Sequence, residues 1–111
     1  MVDIEVLKQE IIERLKPLDP EKIILFGSYA YGAPNEDSDV DLFLVKDDIA
    51  EDELDRYDIE AMMKTRDLIS KYHIGFDILS ASSSFLNARE DYFYKVDILE
   101  KGKIFYERSI S

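Results

Sequence analysis

The chain has 111 residues, with 25 Asp and Glu against 14 Lys and Arg, giving a formal net charge of −11 at pH 7. That length fits one domain over residues 1–111, and 46% hydrophobic with 12% aromatic residues supplies a core and excludes a disordered chain. The acid excess lacks the basic footprint of a direct nucleic-acid binder, the absence of cysteine excludes disulfides and thiolate metal sites, and no apolar run approaches the roughly 18 residues of a membrane span.

The first residues, Met1 to Glu5, are acidic and amphipathic, unlike a secretory signal, and the expected location is cytoplasmic. Ile4, Leu7, Ile11 and Leu15 recur at helical spacing, predicting a helix over 3–16 that Pro17 and Pro20 end. Residues 22–26 are a short β-branched run, predicted as a buried strand. A short helix starts at Ser28 and runs to Tyr31, with Gly32 closing it, and 33–38 is a loop with Pro34 and Asn35 as turn formers. A second strand covers 39–45. An acidic-fronted helix over 51–72 turns Leu54, Ala61, Met62, Leu68 and Ile69 inward, and Gly75 breaks it. A third strand covers 76–79, and residues 82–84 form a capping cluster. A further helix over 90–101 has Tyr92, Val96 and Leu99 on one face, before a short final strand or tail at 104–106. This order predicts an α/β (α+β) fold, a small mixed sheet backed by helices.

Most of the chemistry lies in residues 27–45. The first strand enters a Gly27-Ser28 turn, where glycine admits close backbone approach and a hydroxyl and N–H groups can meet a phosphate. The second strand opens with Asp39-Val40-Asp41, and alternate strand residues share a face about 6.6 Å apart. Either aspartate alone would read as a turn former, but Asp41 runs directly into Leu42-Phe43-Leu44-Val45, where a carboxylate is costly unless paired or metal-bound. Asp77, inside an apolar strand, is a candidate third carboxylate; the competing role is a hydrogen bond to backbone or a lysine. Phosphate grip plus paired hard ligands is the equipment of phosphoryl or nucleotidyl transfer. Ser38 either assists phosphate or caps the turn. Tyr29 and Tyr31 read as core or rim residues, His73 is assigned no role, and the acids from Asp47 to Glu53 read as a solvated helix start.

The pattern Gly27-Ser28, Gly32, Ser38-Asp39-Val40-Asp41-Leu42 resembles the signature of the nucleotidyltransferase superfamily related to DNA polymerase β, and the short length resembles its minimal, MNT-domain members. The resemblance covers nearly the whole chain, to Gly102-Lys103-Ile104-Phe105-Tyr106. It implies that Asp39 and Asp41 hold two Mg²⁺ ions, that Asp77 ligates and acts as general base, and that Gly27, Ser28 and Ser38 bind the triphosphate of ATP. It also implies an antitoxin that transfers AMP to a hydroxyl, a tyrosine, of a HEPN-domain toxin. Larger relatives carry further domains for acceptor recognition, so here a partner protein or a second copy has to supply that surface, as a hetero- or homo-oligomer. Two alternatives stand beside this reading: a module that neutralises a partner by contact alone, and an aminoglycoside-type nucleotidyltransferase, which the missing substrate domain disfavours.

Overall fold

In the computed structural model, which describes residues 2–108, the chain folds around a four-stranded sheet of order β3-β2-β1-β4. The ends of the expected 1–111 domain, Met1 and residues 109–111, lie outside the described residues. The strands are β1 (Lys22–Phe26), β2 (Val40–Val45), β3 (Phe76–Ala81) and β4 (Lys103–Glu107). β1 pairs antiparallel with both β2 and β4, and β2 pairs parallel with β3, so the sheet is mixed as expected.

Helix α1 (Ile4–Leu15) starts where the Asp3 side chain accepts the Glu5 N–H, satisfying one of the free donors of its first turn. It buries Leu7, Ile11 and Leu15 and gives way to a tight turn at Pro17. The central strands β1 and β2 are buried on both faces. Their alternating side chains divide the core. Ile23, Leu25, Leu42 and Leu44 meet α1 and the long helix α3 (Leu54–Tyr72) on one face. Ile24, Phe26, Phe43 and Val45 meet Leu86 and Ile98 on the other.

Three expectations are corrected. Along α3 the buried residues are Tyr57, Ala61, Thr65 and Leu68, while Met62 faces solvent and Leu54 is half-buried. The Thr65 hydroxyl satisfies itself inside the helix by donating to the Ala61 carbonyl, and the Tyr57 hydroxyl donates to the Leu18 carbonyl, so both polar residues can be buried. The helix ends at Tyr72 as expected, but the residue that breaks it is His73, in the left-handed region at φ 53°, rather than Gly75. The segment expected as a 90–101 α-helix is a π-helix over Phe93–Glu100. Its wider winding, seen in the Lys101 N–H donated back to the Val96 carbonyl, turns Ile98 to the core and leaves Tyr92 and Leu99 exposed. Phe93 and Tyr94 pack edge-on against Phe26 and Phe43. Between β3 and this segment, Ser82 caps a short helix α4 (Ser83–Ala88) by accepting the Phe85 N–H, as its capping cluster suggests.

Candidate active site

The sheet register brings the sequence-predicted carboxylates to one end of β2 and β3. Asp41 is paired directly with Asp77 across the parallel β2–β3 ladder, and Phe26, the last residue of β1, pairs with Asp41 on its other side. Gly27 therefore begins its turn beside the Asp41 carboxylate. It adopts φ 77° and ψ −164°, a region essentially closed to residues with a side chain. A Cβ on Gly27 would overlap Asp41 Oδ2. Gly75 does the same for the other aspartate: a Cβ there would stand 2.5 Å from Asp39 Oδ1. The Val40 N–H donates to the Gly75 carbonyl, locking the two segments together. Two glycines thus leave the space in which two carboxylates lie against backbone.

Burial pushes the Asp41 carboxyl up to about 6, and the nearby Asp77 and Asp39 charges and a hydrogen bond with Asp77 push in the same direction. None of the three aspartates has an ion-pair partner among the described residues. Asp41 is half-buried, and Asp39 and Asp77 are exposed, so their oxygens are open to a ligand.

The donor chemistry fits Mg²⁺: hard, anionic oxygens whose mutual repulsion a cation would relieve. Among the described residues, no three acidic or histidine side chains close around a single point tightly enough to hold an ion by themselves. Mg²⁺ rarely asks for that. It keeps waters and is held by one or two carboxylates together with substrate phosphate oxygens.

The Gly27 turn continues into α2 (Ser28–Tyr31), whose Ala30 and Tyr31 N–H groups donate to the Gly27 carbonyl. The first N–H groups of such a turn, those of Ser28 and Tyr29, have no acceptor within it and stay available to an anion. Gly32 closes the turn in the left-handed region at φ 81°, as expected. Ser38 occupies the capping role: its Oγ accepts the Asn35 N–H at 2.9 Å, and its own N–H donates to the Asn35 carbonyl. Tyr29 is a core residue, and Tyr31 donates its hydroxyl to the Asp97 carbonyl at the rim. Within the acidic stretch, Asp47 has a specific role that charge alone did not suggest, accepting both the N–H and the hydroxyl of Ser83. Gly75 is the residue sequence reasoning missed. The available signal was its position just before the strand that carries Asp77.

Known proteins resemble this chain in both sequence and fold. The model of the family described as polymerase beta, nucleotidyltransferase, matches residues 9–111. A Methanocaldococcus jannaschii protein named as a protein adenylyltransferase is 32% identical over 103 residues, spanning 93% of this chain and 90% of the relative. Among solved structures, a toxin–antitoxin complex with AMP-PNP aligns at TM-score 0.62 and 21% identity, over 91% of this chain and 73% of its own. A mutant of the MntA–HpeT toxin–antitoxin aligns at TM-score 0.60 and 18% identity, with 91% and 73% coverage. No helix among the described residues is long and apolar enough to cross a membrane. With the family model spanning most of its length and its carboxylates gathered beside a glycine turn, the chain belongs to the polymerase β nucleotidyltransferase family and is a nucleotidyltransferase.

Proposed function

We propose that the chain is a Mg²⁺-dependent protein adenylyltransferase that transfers AMP from ATP to a tyrosine hydroxyl of a HEPN-domain toxin and so acts as its antitoxin. The observation that carries the reading is the cross-strand pairing of Asp41 with Asp77 beside the Gly27 turn. The 32% identical relative named as a protein adenylyltransferase favours a protein acceptor, and the toxin–antitoxin and AMP-PNP neighbours favour the partner and the adenine nucleotide.

Asp39, Asp41 and Asp77 would hold the metal, which when bound neutralises phosphate charge and makes the acceptor hydroxyl easier to ionise. The backbone N–H groups of the turn and the Ser28 hydroxyl orient the triphosphate by donating to its oxygens. Asp77, exposed at the mouth of the site, takes the acceptor's proton. The acceptor oxygen forms its bond to the α-phosphorus while the bond from that phosphorus to the bridging oxygen breaks, and pyrophosphate leaves with the electron pair.

Mixing the protein with the HEPN-domain toxin, its neighbour in the proposed pair, together with ATP and Mg²⁺, and weighing that neighbour by intact mass, tests the reading. The expected result is a gain of one or more AMP units that maps to tyrosine. An unchanged neighbour that is nonetheless bound and silenced would assign neutralisation to contact alone.

A further inference from the structure

The outer face of α3 carries an apolar stripe with no partner among the described residues. Ile59 is 60% exposed, Met63 68% and Met62 36%, and these residues line a groove of about 410 Å³ together with Asp58, Arg66 and Ile69. Spaced three and four residues apart, Ile59, Met62 and Met63 form one continuous strip along the helix. Asp55 and Arg66 lie on the same face, one on either side of the strip, about 16 Å apart along the axis at about 1.5 Å per residue.

The charge around this stripe differs from that of the rest of the molecule. Over Leu54–Tyr72, Asp55, Asp58, Glu60 and Asp67 are balanced by Arg56, Lys64, Arg66 and Lys71, whereas the chain as a whole stands at −11. Most of the acids come early in the helix and most of the bases late. Asp55, Arg56, Glu60, Lys64 and Arg66 have no ion-pair partner among the described residues. A strongly acidic protein repels its own copies over most of its surface. This neutral face, acidic at one end and basic at the other, is complementary to itself when two copies meet antiparallel.

We propose that two copies of the chain associate through α3 about a two-fold axis that crosses the helix near Glu60 and Ala61. In that register Ile59 of each copy packs on Met62 of the other, and Asp55 of each lies beside Arg66 of the other, so every contact occurs twice as a two-fold interface requires. The groove takes the side chains of the opposing stripe. A single helix pair is a small interface, so the dimer is reversible and depends on concentration.

Sedimentation equilibrium of the chain alone, without nucleotide or toxin, over a series reaching about 1 mM tests this directly. The expected result is a monomer of 12.9 kDa giving way to a species of twice that mass as concentration rises. Met63→Glu abolishes the shift. Asp55→Arg and Arg66→Asp, each alone, set like charges against one another twice per dimer and weaken association by about tenfold or more. The double variant Asp55→Arg with Arg66→Asp restores it, because the pair is exchanged on both copies. All these residues are exposed, so circular dichroism melts should match wild type and exclude misfolding as the cause. A chain that stays monomeric throughout overturns the proposal, as would happen if a different protein covers the stripe. So does a dimer indifferent to the single charge reversals, or one that the double reversal fails to restore.

Discussion

Replacing each of the two site glycines by alanine separates the carboxylate-holding role of the site from its backbone. At Gly75 no positive φ is involved, and the nearest group the added methyl would meet is the Asp39 carboxylate, at 2.5 Å from Oδ1. That carboxylate is exposed and can swing away, so Gly75→Ala should change stability by less than about 1 kcal/mol. Transfer should nonetheless fall by about 100-fold or more, because a displacement of about 1 Å in a reacting constellation costs that much. At Gly27 the methyl would overlap Asp41 Oδ2, and the backbone at φ 77°, ψ −164° is itself closed to alanine. Gly27→Ala should therefore lose transfer and also about 1–3 kcal/mol of stability. That is roughly 4–8 °C in melting temperature for each kcal/mol in a domain near this size. The assay pairs thermal melts with AMP incorporation into the partner, followed by mass. Near-normal transfer by Gly75→Ala would refute the idea that Asp39 works from where the glycine lets it lie. A melt unchanged by Gly27→Ala would refute the strain.

Five further substitutions probe the rest of the site and the fold. Asp41→Asn should abolish transfer yet raise the melting temperature without Mg²⁺. Its carboxyl is pushed up to about 6 in the fold, so ionising it costs stability that the amide does not lose, and the advantage should open as pH rises from about 4 through 6. Equal melts of the two proteins at pH 4 and at pH 7 would contradict this. Asp77→Asn should bind the toxin normally and leave its mass unchanged, since the amide cannot take the acceptor's proton; in cells carrying the toxin, protection should be lost. Ser28→Ala should weaken ATP binding only modestly by calorimetry, by about 0.5–1.5 kcal/mol and at most about 3, as one hydrogen bond to a charged group. Ile98→Ala should cost about 2–5 kcal/mol in denaturant melts while Leu99→Ala stays near neutral; the opposite order would mean that the segment winds as an ordinary α-helix.

The parts of the fold that were legible are those where local chemistry agrees with the tertiary answer. The stripe Leu7, Ile11, Leu15 made α1 visible, and the apolar runs of β1 and β2 announced strands, which the fold buries on both faces. Where packing overrode the local pattern, the reading went astray. Met62 has the hydrophobicity of a core residue but lies on the outer face of α3. Thr65 looks polar but lies inside, because its hydroxyl is satisfied by the carbonyl one turn earlier. The winding of Phe93–Glu100 gave no local signal, since a π-turn is chosen by how Phe93, Tyr94 and Ile98 fit the sheet rather than by the propensity of any one of them.

The chemistry of the site is written in residue identities: a glycine turn entering Ser28, two aspartates with one residue between them at the start of a strand, and a third in a later strand. Residue identity and near-neighbour spacing are enough for that, because alternate residues of an extended segment point to the same side without any long-range information. Which groups meet is a matter of long-range packing. The parallel register of β2 on β3 sets Asp77 against Asp41 rather than against a residue two positions away, and Gly75 makes room for Asp39 from a segment 36 positions along the chain, as the numbering shows. Register is chosen by the whole buried face of the sheet, since a slip of one residue would turn Phe76 and Ile78 out of the core and Asp77 into it. That choice depends on every residue of the sheet at once, so no short stretch of the sequence contains it.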